Sequence, residues 1–147
     1  MSEWKQVAPP PVDSMLGDHD VPSKGNHLLG KRIALLSTGS IAAITVPSLA
    51  RELRKYGADV QVFVTPDAIK CGVNLTALEW GSWPNPVITE LTSASEHLSL
   101  GKPFDLYLVA PATANTICKT AVGISDTVVT GALASALGRG VPIMMAP

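Results

Sequence analysis

The stretch from Asp105 to Ser125, DLYLVAPATANTICKTAVGIS, constrains the fold more than any other part of the chain. Leu106 to Ala110 is a short apolar run that stops at Pro111. Small and hydroxyl residues follow from Ala112 to Thr116, and apolar positions then recur at helical spacing at Ile117, Ala121 and Val122. An apolar run of strand length that meets a proline and turns helical is a buried strand feeding a helix. At such a junction the N–H groups of the helix's first turn point past the carboxyl end of the strand. Thr113, Asn115 and Thr116 add short hydrogen-bonding side chains there. Two readings are open at this point: an ordinary helix cap, or a seat for an anion or a polar ring edge.

The same pattern recurs upstream. Ile33 to Ser37 reads as a strand, Thr38-Gly39-Ser40 as a turn, and Ile41 onward as a helix. Ile41, Ala42, Val46, Leu49, Ala50 and Leu53 fall mainly on one side of it, while Arg51, Glu52, Arg54 and Lys55 face water. Pro47 removes a hydrogen bond inside this helix, which predicts a kink or a first turn that is not fully α-helical. Gly57 ends the helix as a left-handed cap, and Val60 to Val64 is the next strand. The result is a βαβ unit with parallel strands and a right-handed crossover. Thr65-Pro66-Asp67 again places a hydroxyl before a helix-start proline, and Ala68 to Val73 is a short helix.

Leu75 to Glu96 reads as irregular because it carries Trp80, Gly81, Trp83, Pro84 and Pro86, with a short extended piece at Val87 to Thr89. Asp105 to Ala110 is expected to be the central strand. A second helix starts at Asp126, and Val128, Val129, Ala132, Leu133, Ala136 and Leu137 give it an almost wholly apolar wall. Gly138 and Gly140 stop it, and Val141 to Ala146 is a further buried strand. Strands alternating with helices predict an α/β fold. Met1 to Leu29 has no regular period and carries Pro9, Pro10 and Pro11 in a row, so residues 1–30 read as an arm or disordered tail and 31–147 as the domain.

Composition narrows the function classes. Hydrophobic residues make up 46% of the 147 residues and charged residues 16%, a balance that points to apolar surface buried against other subunits. A net charge of -1 offers no steering towards nucleic acid or an anionic membrane. No apolar run approaches the roughly 20 residues of a membrane span, and the N-terminus lacks the basic start and apolar block of a signal peptide. Cys71 and Cys118 stand far apart with no metal or redox spacing, which fits a reduced cytoplasmic setting, with Cys118 as a small core residue. The turn TGSI is neither GxGxxG nor a P-loop, yet a glycine followed by serine at a helix start can hold one phosphate or a flavin edge. His97 lies just before the strand at 105; taken alone, a lone histidine is a surface or core residue. His19 and His27 have no partners at ligand spacing.

Three strand-end motifs stand in order: TGSIAAI at 38–44, HLSL at 97–100 and APATANTICKTAVGISD at 110–126. Together, and with NPVIT at 85–89, they resemble the family of FMN-dependent cysteine decarboxylases, over about Lys31 to Pro147. The resemblance implies a Rossmann-like (flavodoxin-like) three-layer α/β sandwich with a mainly parallel sheet and FMN as cofactor. By motif, Gly39, Ser40 and Ile41 would line the FMN site, Thr65 would contact the cofactor, and Thr113, Ala114, Asn115 and Thr116 would offer groups to the flavin or its phosphate. His97 matches the family's active-site histidine. The implied reaction oxidises a substrate thiol and then releases the neighbouring carboxylate, as in the conversion of phosphopantothenoylcysteine to 4′-phosphopantetheine in coenzyme A synthesis. A peptidyl-cysteine decarboxylase, a flavin prenyltransferase and a non-catalytic FMN-binding or regulatory subunit are the alternatives. The family assembles as trimers, or dodecamers of trimers, with FMN at the subunit boundary. It continues past the last strand with a Pro-x-Met-Asn motif that grips the substrate carboxylate. This sequence stops at Pro147, so the domain is expected to be truncated there or completed elsewhere.

Overall fold

The computed structural model describes residues 20–92 and 102–147. Five strands form one sheet: β1 (Arg32–Ser37), β2 (Asp59–Val64), β3 (Val87–Ile88), β4 (Leu106–Val109) and β5 (Ile143–Met145). Their order is β3-β2-β1-β4-β5, and every neighbouring pair is parallel. The helices are α1 (Val46–Lys55), α2 (Pro66–Lys70), α3 (Leu75–Ser82), α4 (Ala114–Ala121) and α5 (Val128–Arg139). The architecture is the expected Rossmann-like, flavodoxin-like α/β fold.

Strand β1 shows why the sheet is covered on both sides. Side chains alternate across a strand, so Ile33 and Leu35 pack with Val46, Ala50 and Leu78 of α1 and α3. Ala34 and Leu36 pack with Val129, Leu133 and Ala136 of α5. A strand buried on both faces needs an unbroken apolar run, which Ile33 to Leu36 supplies. Each fully buried leucine or valine contributes about 1.5–3 kcal/mol. The apolar wall of α5 is used in this chain's own core; Leu137 alone of the expected set stays 55% exposed. That wall is therefore not the surface left over for a subunit partner.

Pro47 acts as predicted. The segment opens as a 3-10 helix, Ile41–Thr45, and α1 begins only at Val46, with the proline in its first turn. Gly57 follows α1 at φ 93°, and a Cβ there would lie 3.0 Å from the Leu29 Cα. Ile41, expected on the apolar side of a helix, is 77% exposed, and Ile44 is 53% exposed, because the 3-10 turn rotates them off the core.

Several expectations need correction. Residues 75–82 are helical: Asn74 Oδ1 accepts from the Ala77 N–H at 2.9 Å, and Gly81 lets α3 approach α1 closely. A Cβ on Gly81 would meet the Pro47 carbonyl oxygen at 3.0 Å. The extended piece expected at 87–89 is present, as β3, which pairs with β2 at Val62 and Phe63. The central strand is β1, with β4 beside it. The second helix begins at Val128, capped by Thr127, and Gly138 lies inside it; Gly140 at φ 66° ends it. The last strand is an edge strand: Ile143 and Met145 pack on the α5 side of the sheet, and Met144, alternating to the other face, is 57% exposed. Cys118 is exposed and not a core residue. The arm expected over residues 1–30 includes a docked piece: the Lys24 and Leu28 N–H groups donate to the Lys55 and Tyr56 carbonyls, and Leu28 packs on the core. These bonds satisfy carbonyls at the C-terminus of α1. Among the described residues, no helix is long and apolar enough to cross a membrane.

At the amino edge of the sheet, Asp59 ties the strands together. It accepts from Asn85 Nδ2, lies 3.3 Å from Arg32 Nε and 3.2 Å from Lys102 Nζ. Burial raises its pKa, but Asn85, Lys102 and Arg32 outweigh burial and hold the carboxyl below its usual range. A lowered folded pKa stabilises fully above the ordinary aspartate value of about 3.9. That contribution fades as pH falls through the folded value. We expect Asp59→Asn to cost roughly 1–3 kcal/mol at neutral pH and to flatten the acid limb of a melting-temperature profile. An unchanged acid limb would show that Asp59 carries none of the acid dependence.

Candidate functional site

The strand order reverses between β1 and β4: β1 leads to β2 on one side, and β4 leads to β5 on the other. Open α/β sheets form a crevice at the carboxyl ends of such a pair. Here the crevice is a cavity of about 400 Å³ lined by Thr38, Gly39, Thr65, Pro66, Asp67, Thr113, Asn115, Thr116, Lys119, Thr127 and Thr130. These residues come from the turns after β1, β2 and β4, from α2 and α4, where Lys119 lies in the last turn, and from the start of α5.

Thr38 joins two of those turns. It is 1% exposed. Its Oγ1 donates to the Pro111 carbonyl at 2.6 Å and accepts from the Thr113 N–H at 3.1 Å. One hydroxyl thus fixes the start of α4 against the end of β1. Gly39 brings the first turn against α2: a Cβ on it would lie 2.7 Å from the Asp67 Cβ and 3.2 Å from the Asp67 carbonyl carbon.

Threonines cap the helices that open onto the cavity. Thr65 Oγ1 accepts from the Ala68 N–H at 3.2 Å, and Thr113 Oγ1 from the Thr116 N–H at 3.3 Å. Thr127 and Thr130 form a reciprocal box, each side chain accepting from the other's N–H, at 3.1 and 2.9 Å. A single cap satisfies one amide and leaves the rest of the first turn directed outward. For α4 and α5 those amides and the positive helix ends favour an anion. The charged side chains on the cavity are Lys119 and Asp67. Asp67 pairs with Lys70 at 3.1 Å, both side chains being open to solvent. Lys119 Nζ donates to Asp126 Oδ2 at 2.6 Å, and that hydrogen bond with the lysine's charge holds the Asp126 carboxyl below its usual range. A second cavity, of about 390 Å³, adjoins the first through Pro66 and Thr127 and is also lined by Glu90, Leu91 and Asp126.

Of the residues expected at a cofactor site, Gly39, Thr65, Thr113, Asn115 and Thr116 come together on the cavity. Ser40, Ile41 and Ala114 do not line it. Ser40 Oγ instead accepts from the Ala42 N–H at 3.4 Å and caps the 3-10 helix, and Ile41 points to solvent. Ala114 is the first residue of α4, with its side chain exposed. His97 lies outside the described residues. Sequence reasoning missed Thr38, Pro66, Asp67, Lys119, Thr127 and Thr130 as site residues. Thr127 and Thr130 carried a readable signal, a hydroxyl pair at capping spacing before an apolar helix.

The sequence model of the family described as Flavoprotein matches residues 22–147. The coenzyme A biosynthesis bifunctional protein CoaBC of Thermococcus kodakarensis is 44% identical over 129 residues, which is 85% of this chain and 31% of that protein. A probable phosphopantothenoylcysteine decarboxylase of Streptococcus mutans is 38% identical over 122 residues, 80% of this chain and 66% of that protein. The chain thus spans less than two thirds of the length of these relatives. Among solved structures, the FMN-dependent cysteine decarboxylase TvaF from thioviridamide biosynthesis superimposes with a TM-score of 0.70 at 29% identity, over 80% of this chain and 73% of that one.

Proposed function

The chain belongs to the Flavoprotein family, and from that premise we propose that its cavity binds FMN and serves the decarboxylation of phosphopantothenoylcysteine to 4′-phosphopantetheine. The observation that carries this reading is the convergence of the three strand-end turns, each with a buried or capping threonine, on one cavity. Its volume falls in the range of small-molecule sites, about 300–1,000 Å³. The donor set fits a group with one anionic end and a polar ring: helix amides, threonine hydroxyls, the Asn115 amide and one lysine. The missing Cβ of Gly39 keeps the first turn tight against Asp67, so backbone rather than side chain faces the ligand there.

The chemistry FMN supplies when bound is a two-electron oxidation of the substrate thiol, later reversed, with loss of the adjacent carboxylate between the two steps. The protein's own residues bind and orient. Thr38 and Thr113 hold the turns in register, and Thr65, Asn115 and Thr116 present hydrogen-bonding groups to the ligand. In this reading His97 takes the thiol proton or orients the carboxylate, a role suited to an imidazole near neutral pH. Assembly as a homotrimer or dodecamer belongs to the same reading; the exposed Ile41 and Ile44, on the 3-10 segment that follows the cavity-lining Gly39, support it. So does a reduced cytoplasmic setting, which suits the free Cys71 and Cys118. The similarity to an FMN-dependent cysteine decarboxylase from thioviridamide biosynthesis favours a second substrate class, a peptidyl cysteine.

The test is direct. The purified protein should be yellow or turn yellow on addition of FMN, and should release carbon dioxide from phosphopantothenoylcysteine. His97→Asn should retain flavin and lose carbon dioxide release. Release from a peptidyl cysteine alone would select the second substrate, and a protein that takes up no FMN would defeat the cofactor reading.

A further inference from the structure

Lys119 and Asp126 stand between the two cavities. Lys119 lines the first, Asp126 lines the second, and Pro66 and Thr127 line both. The pair is tight at 2.6 Å, yet its side chains are 24% and 49% exposed. An ion pair so open to solvent contributes little to folding. Its two members are also unequal in freedom. The Asp126 N–H donates to Thr130 Oγ1 at 3.0 Å, and Thr130 Oγ1 lies 3.4 Å from Asp126 Oδ1, so the carboxylate is built into the start of α5. Lys119 has a flexible stem and three N–H donors, of which Asp126 takes one. Among the described residues, Lys119 is the only basic side chain lining the first cavity. The second cavity carries Glu90 and Asp126 and repels an anion.

We propose that Lys119 is the side-chain cation for the phosphate of the cavity's ligand, and that Asp126 holds it in reserve and competes with that phosphate for it. Naming the ligand as FMN rests on the function proposed above; the anion site itself does not. Charge is thereby sorted between the cavities: phosphate is drawn to the Lys119 side and turned away from the Asp126 side. The two partners of this ion pair should then have opposite effects on binding. A pair that only braces α4 against α5 would give effects of the same sign.

The experiment compares FMN with riboflavin, which lacks the phosphate, by flavin fluorescence quenching on wild type, Lys119→Met and Asp126→Asn. The Asp126→Asn change removes the charge and keeps a side-chain oxygen to face Thr130. Lys119→Met should weaken FMN by about ten- to a hundredfold and leave riboflavin within about twofold. Asp126→Asn should tighten FMN by about threefold or more without changing riboflavin. A parallel arm uses inorganic phosphate and follows the melting temperature: phosphate should raise it in wild type, raise it more in Asp126→Asn, and fail to raise it in Lys119→Met. If wild type takes up neither flavin but shows this phosphate pattern, the flavin reading falls and the Lys119 assignment stands. If FMN binds and Lys119→Met leaves its affinity and the phosphate response unchanged, the assignment is overturned and the flavin reading stands. Same-sign shifts from both variants on both flavins also overturn it, as does a wild type that responds to neither FMN nor phosphate.

Discussion

Thr38→Val is expected to unfold about 2–4 kcal/mol more easily than wild type. Valine fills the same space, so the cost is not one of packing. The lost hydroxyl strands two groups at once, the Pro111 carbonyl that accepted from it at 2.6 Å and the Thr113 N–H that donated to it at 3.1 Å. Thr38 is 1% exposed, so water does not readily replace the hydroxyl. The melting temperature should fall by roughly 6–15 °C, and flavin affinity should fall with it because α4 loses its register on β1. Thr38→Ser keeps the hydroxyl and should recover most of both. A valine variant as stable as wild type would mean that the threonine bridge holds nothing.

The second large effect is expected at Gly39. Its missing Cβ faces the Asp67 Cβ at 2.7 Å and the Asp67 backbone at 3.2 Å. Neither atom can rotate away, so Gly39→Ala must push the first turn off the start of α2. Overpacking of this kind costs about 1–3 kcal/mol. Because both segments line the cavity, that strain should appear as a loss of flavin affinity of about ten- to a hundredfold. Gly131 makes a sharp control. A Cβ there would also come within 2.7 Å of a neighbour, but the neighbour is Leu91 Cδ1, the tip of a flexible side chain. Gly131→Ala should therefore bind flavin and melt close to wild type. Equal behaviour of the two alanine variants would sink the argument from backbone closeness.

Much of the fold was legible because its signals are local. The apolar runs at Ile33, Val60 and Leu106, each followed by a hydroxyl or small-residue turn, give strands that lead into helices wherever they sit in space. Pro47 inside an apolar periodicity was sufficient to predict a kink or a first turn that is not fully α-helical, which the structure resolves as a 3-10 segment before α1. Helix α3 was missed for a complementary reason. Two tryptophans, Gly81 and nearby prolines are poor local evidence for a helix, and it is packing against Pro47 and Ala50 of α1 that accommodates Gly81 there. Cys118 was misplaced because α4 turns this position to solvent, which a small residue on a short helix does not reveal.

The candidate site divides along the same line. Gly39, Thr65, Thr113, Asn115 and Thr116 were readable because each belongs to a turn whose chemistry is set within a few residues. Thr38 and Lys119 were not, since their roles depend on what the fold brings near them: Thr38 on Pro111 and Thr113, Lys119 on the cavity that α4 flanks; Thr127 was legible as a helix cap but not as a wall of that cavity. By itself the sequence determined the alternation of strands and helices and the threonine-ended turns, because hydrophobic periodicity and capping act over a few residues. Only the tertiary structure decided which turns meet. The order β2-β1-β4 sets three of them side by side and brings the start of α5 over them, and strand order is a consequence of long-range packing on both faces of β1.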